Sequence, residues 1–94
     1  MSANKSLIIH PHAYKHGVTE EQILSAWHSV PKYALEHYDN GEKKVYGIGL
    51  SHDGLEIQLI ARPKFYGAII FHALTPPQDK VRKFITHSTE VYYG

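Results

Sequence analysis

Lys44-Val45-Tyr46-Gly47-Ile48-Gly49-Leu50, followed by Ser51-His52-Asp53-Gly54 and then Leu55-Glu56-Ile57-Gln58-Leu59-Ile60, decide the fold of this chain. Two runs rich in β-branched and aliphatic residues flank an Asp-Gly pair, which is the pattern of a β-hairpin. In the second run polar and apolar residues alternate, so that strand has one buried face and one wet face. Upstream, Tyr33-Ala34-Leu35-Glu36-His37-Tyr38 runs into Asn40-Gly41, a second tight-turn signal. Downstream, Arg62-Pro63-Lys64-Phe65-Tyr66-Gly67 breaks the alternation and reads as a loop or bulged turn. Residues 67–73 then read as a last, central strand.

The flanks supply helices. Leu7-Ile8-Ile9 is a short apolar strand, and Pro11 suits the first position of a short helix that Gly17 ends in a left-handed conformation. Thr19 and Gln22 have the spacing of a capping box, with Glu20 and Glu21 at the positive end of the helix dipole. Ile23, Leu24 and Trp27 share one face of this second helix, which stops before Pro31. Thr75 is placed to cap a C-terminal helix with Pro76 at its first position and Val81, Phe84 and Ile85 as its apolar face. The expected fold class is therefore α+β, a small antiparallel sheet of about four to five strands with two N-terminal helices and one C-terminal helix. A chain of 94 residues fits a single domain over 1–94, with a core over residues 6–87 and a tail over 88–94.

Composition narrows the class. Hydrophobic residues make up 43% of the chain, enough for a globular core and too much for a disordered one. There is no cysteine, hence no disulfide framework and no thiolate metal site. The apolar runs are too short to span a bilayer, and Met1-Ser2-Ala3-Asn4-Lys5 lacks the apolar core of a secretion signal. These features lead us to expect a cytoplasmic protein with no membrane partner. The net charge of +1 conceals a split: Lys5 and Lys15 make the first 18 residues basic, residues 19–60 are acidic, and Arg62, Lys64, Lys80, Arg82 and Lys83 make the remainder basic.

The eight histidines offer the chemistry. His10, His12 and His16 lie within one short segment, and three imidazoles could ligate a metal, although no recognised ligand spacing is present. Beside them Lys15 can neutralise phosphate, and a histidine can take the proton that a ribose 2′-hydroxyl loses before attacking its own phosphodiester. A second set comprises Arg62, Lys64 and Tyr66 in the loop with His72 on the following strand. Strand alternation puts His72 on the face of Ile70, where a histidine is more often a hydrogen-bonded core residue than a catalyst. Arg82 and Lys83 read as the polar face of the last helix. There is no glycine-rich phosphate loop and no nucleophile elbow.

Ala13-Tyr14-Lys15-His16-Gly17-Val18-Thr19-Glu20-Glu21 resembles the opening of BrnT-type toxins of the RelE-like superfamily, and the likeness runs through Ile48-Gly49-Leu50 to Ile70-Phe71-His72-Ala73. The resemblance implies a metal-independent endoribonuclease, free of cofactor, that an antitoxin holds inactive and that meets operator DNA only through that antitoxin. It carries Lys15 and His16 over as functional positions, with Arg62 and His72 as further catalytic candidates. Lys64, Tyr66, His12, Arg82 and Lys83 are the candidate RNA contacts. Family members usually place an arginine where this chain has Leu74, and Arg62 and Lys64 of the neighbouring loop are the cations expected to substitute for it. Two alternatives stand beside this reading: a binding module of the same fold without chemistry, and a small metal-binding protein using His10, His12 and His16.

Overall fold

The structure, a computed structural model, describes residues 6–93. Lys5, counted above with the basic N-terminal end, and the rest of the segment compared with a secretion signal lie outside the described residues, as does Gly94. Six strands form one mixed sheet in the order β1-β5-β4-β3-β2-β6: β1 (Ser6–Ile9), β2 (Lys32–His37), β3 (Lys43–Leu50), β4 (Glu56–Lys64), β5 (Gly67–Leu74) and β6 (Val91–Tyr93). β1 runs parallel to β5, and every other neighbouring pair is antiparallel. Two helices complete the fold, α1 (Glu20–His28) and α2 (Asp79–His87). Among the described residues no helix is long and apolar enough to cross a membrane.

The expected antiparallel sheet of about four to five strands with two N-terminal helices gives way to a mixed sheet of six, because β1 pairs parallel with β5, and three further points are corrected. The segment Pro11–Tyr14 forms a single 3-10 turn, so α1 is the one α-helix among the described residues before the sheet's middle strands. Gly17, at φ +81°, does adopt the left-handed conformation, and it reverses the chain too soon after Pro11 for an α-helix to grow. The tail contributes β6, whose residues Val91 to Tyr93 pair with Ala34 to Lys32 at the far edge. Finally, Arg62-Pro63-Lys64 continue β4, leaving only Phe65 and Tyr66 as the turn into β5.

The helices cover opposite faces. The capping box is formed as the sequence predicts: Gln22 N–H donates to Thr19 Oγ1 at 3.2 Å and Thr19 N–H donates to Gln22 Oε1 at 2.9 Å. From that start α1 lays Ile23 and Ala26 onto Ile57, Leu59, Ala61, Ile70 and Ala73, all fully buried. Gly49 permits the contact, because a Cβ there would lie 1.8 Å from the Ala26 carbonyl oxygen. On the other face Phe84 of α2 meets Tyr46 edge to face at 5.0 Å. The N-cap of α2 is Gln78, three residues past the expected Thr75 cap, since Thr75-Pro76-Pro77 stay outside the helix.

Both hairpin turns fall where the Asn-Gly and Asp-Gly pairs put them. Gly41 and Gly54 sit at φ +87° and +88°, and their N–H groups donate to Tyr38 and Ser51 carbonyls. Each loop has three residues, with glycine as the left-handed third residue.

β5 carries the irregularity that matters. Ile60 faces His72, whereas its neighbour Ala61 faces Ile70, so Phe71 is an extra residue in a β-bulge. The bulge breaks the alternation used to pair His72 with Ile70. Ile70 is fully buried under α1, and His72 turns to the α2 face with Gln58 and Ile60.

Candidate functional site

The 3-10 turn brings the N-terminal cluster to that bulge. His10 N–H donates to the Ile70 carbonyl at 2.8 Å, tying the end of β1 to β5. His10 Nδ1 then accepts from His12 N–H at 3.1 Å, and buried Ala13 pins the turn to the core. Between that anchor and the reversal at Gly17, Lys15 and His16 are left exposed beside β5. The His16 and His72 rings meet edge to face, with centroids 5.5 Å apart.

His72 is half-buried and tethered. Gln58, fully buried on β4, places Nε2 at 3.0 Å from His72 Nε2 and at 3.2 Å from Gln78 Oε1, while its own Oε1 accepts from the Gln78 backbone N–H at 2.9 Å. Burial pushes the His72 pKa below the usual histidine value, and the charges of His16 and Lys15 press in the same direction. All three effects disfavour the imidazolium.

A second group adjoins the first, because Phe71 and His72 are consecutive at the bulge. The Arg62 guanidinium lies 5.1 Å from the Phe71 ring centroid and Lys44 Nζ lies 5.6 Å from it, with Lys44 also 4.8 Å from the Tyr38 ring. Glu36 Oε1 accepts from Tyr38 at 2.5 Å and from Tyr46 at 2.6 Å, and these bonds hold its carboxyl below the usual range. Burial and the bond to Glu36 raise the Tyr46 phenol well above its ordinary value. Arg62 also reaches Glu42 at 3.6 Å. Lys44, Arg62, Phe71 and His72 thus lie along the part of the sheet that α2 leaves open.

The remaining candidates do not converge there. Lys64 and Tyr66 sit at the β4–β5 turn, with Lys64 four residues along β4 from Ile60, the partner of His72, or about 13 Å at ~3.3 Å per strand residue. Tyr66 stacks edge to face on Phe65, and Lys64 lines a shallow cavity of about 490 Å³ with Glu42, Lys43 and Arg62. The His12 ring lies tilted against that of His10, with centroids 5.4 Å apart. Arg82 donates to both carboxylate oxygens of Glu56, at 2.8 and 3.4 Å, and Lys83 is exposed on the outer side of α2. Leu74, at the position where an arginine was expected, is half-buried at the end of β5 opposite Gln58. Among the described residues no three His, Cys, Asp or Glu side chains converge as a metal cage requires. His10, His12 and His16 therefore do not make one, since His16 turns to His72.

Gln58, Gln78 and Lys44 were not singled out in the sequence. Gln58 reads there as an ordinary polar residue on a wet strand face, and the helix N-terminus that covers it is distant in the chain. Comparison with protein-family models, with curated proteins and with solved structures finds no match.

Proposed function

We propose that this protein is a metal-independent endoribonuclease, the toxin of a bacterial toxin–antitoxin pair acting in the cytoplasm. The observation that carries the reading is the meeting of Lys15 and His16 with His72 at the bulge of β5, beside Phe71 and Arg62. The types match metal-free RNA cleavage, which needs a proton acceptor and cationic stabilisation of the phosphorane. His16 takes the proton of the ribose 2′-hydroxyl, and the 2′-oxygen attacks its own phosphorus. Lys15 neutralises the charge that builds on the phosphoryl oxygens, and Arg62 holds the adjoining phosphate. The bond to the 5′-oxygen breaks, that oxygen takes a proton from water, and a 2′,3′-cyclic phosphate remains. The antitoxin covers the cationic face, and operator DNA is met only through it.

A second reading, an RNA- or protein-binding module of the same kind without chemistry, is favoured by Leu74 in place of an arginine and by the engagement of Arg82 with Glu56. Incubating the purified protein with RNA in the presence of a chelator separates the two. Cleavage supports the nuclease, whereas binding without cleavage supports the module. A chain that is harmless when expressed alone removes the toxin assignment.

A further inference from the structure

We infer that Gln58 is a positioning residue that holds His72 as the neutral Nδ1–H tautomer, so that His72 serves the site as a fixed hydrogen-bond donor and not as the proton acceptor. The backbone N–H of Gln78 can only donate, and it points at Gln58 Oε1 from 2.9 Å. That contact fixes which end of the Gln58 amide is oxygen, a choice that is otherwise ambiguous. The other end is then the NH2 group, and it faces His72 Nε2 at 3.0 Å. An NH2 group can only donate, so His72 Nε2 must offer its lone pair. The ring proton consequently sits on Nδ1.

The surroundings agree. Gln58 is fully buried, so its amide cannot trade these partners for water. The charges that press on His72 are those of Lys15 and His16 from the turn after Ala13, and its ring bonds Gln58 of β4, which Gln78 at the head of α2 holds in turn. Among the described residues no carboxylate touches the ring, and an imidazolium would set an N–H against the Gln58 NH2. His72 Nδ1 has no partner among the described residues and is not sealed from solvent, so its proton is available to an incoming oxygen. The chemistry that such a donor recognises beside Lys15 is an anionic oxygen, and a phosphodiester oxygen on the nuclease reading. That leaves His16 as the imidazole free to accept a proton. The use of the donor rests on the nuclease reading, whereas the tautomer does not.

The test is a long-range 1H–15N correlation spectrum of the histidine rings of the full chain, recorded above pH 7. The wild type is expected to show His72 with a protonated Nδ1 and a bare Nε2, the reverse of the form an unconstrained imidazole favours. Gln58→Leu removes the donor, and His72 is expected to move toward Nε2–H. Gln58→Glu presents an acceptor in its place and is expected to invert the pattern and to raise the midpoint at which the ring titrates. A wild-type His72 with its proton on Nε2 overturns the inference even if both variants fail to fold, and so does a Gln58→Leu spectrum identical to wild type. The spectrum requires no RNA, so an inert protein with the expected tautomer would count against the nuclease and leave the positioning role standing.

Discussion

His16 and His72 meet edge to face at 5.5 Å, yet one is exposed on a turn and the other is half-buried on a strand. Two imidazoles in such different surroundings cannot do the same work. His72, desolvated and facing the charges of Lys15 and His16, resists protonation, and His16 is open to solvent. The division gives the nuclease reading a graded test. Asn places an amide nitrogen near the position of Nδ1, so His72→Asn should keep RNA cleavage within about tenfold of wild type. His16→Asn should lose on the order of 10²- to 10⁴-fold, the usual contribution of a general base. Single-turnover rates on one RNA substrate measure both.

The depressed pKa of His72 also sets a pH dependence of stability. Its folded value lies below the unfolded value of about 6.5, so in the window between the two the unfolded chain binds the extra proton. The stabilisation is present in full above pH ~6.5 and is lost as pH falls through that window. Urea denaturation between pH 7.5 and pH 5 should therefore show falling stability, with a shallower fall in His72→Asn. Identical slopes would contradict the burial argument. Glu36, held low by the Tyr38 and Tyr46 hydroxyls, acts in a separate window below about 4.5.

Gly49 should tolerate no side chain. A Cβ there would stand 1.8 Å from the Ala26 carbonyl oxygen, and backbone cannot step aside as a side-chain tip can. Gly49→Ala is expected to cost about 3 kcal/mol or more by forcing α1 off the sheet. Gly47→Ala meets side chains and no backbone, Val30 at 2.8 Å and the Tyr33 ring at 3.2 Å, and should cost less. Chemical denaturation of both variants gives the comparison, and equal midpoints would refute it.

The bulge makes neighbouring residues opposite in role. Ile70 is fully buried under α1, and Phe71 lies on the other face under Arg62 and Lys44. Ile70→Ala should cost about 2–5 kcal/mol of stability. Phe71→Ala should cost less and should instead weaken RNA affinity, measured by fluorescence anisotropy at fixed salt. Arg82→Ala should leave that affinity unchanged, because its guanidinium is already engaged by Glu56.

Local signals in the chain were legible where the physics is local. The Thr19–Gln22 box, the Asn40-Gly41 and Asp53-Gly54 turns and the amphipathic α2 each depend on residues a few positions apart. The parallel pairing of β1 with β5 and the docking of Val91-Tyr92-Tyr93 on β2 depend on partners far along the chain, and no periodicity announces them. The 3-10 turn reads as a helix in the sequence because proline at a first position and a later left-handed glycine bound a short turn as well as a helix. At the site, Lys15, His16 and His72 were legible as residue types, and their meeting was not. One extra residue at Phe71 reversed the face of His72, and only the sheet register reveals it.

The most direct test of the central claim is the chemistry of the cleaved RNA end. Wild-type protein incubated with a defined RNA in excess chelator should leave a 2′,3′-cyclic phosphate and a 5′-hydroxyl, and both Lys15→Ala and His16→Ala should abolish the product while binding the same RNA. Intact RNA with the wild type, or equal cleavage by His16→Ala, would contradict the account.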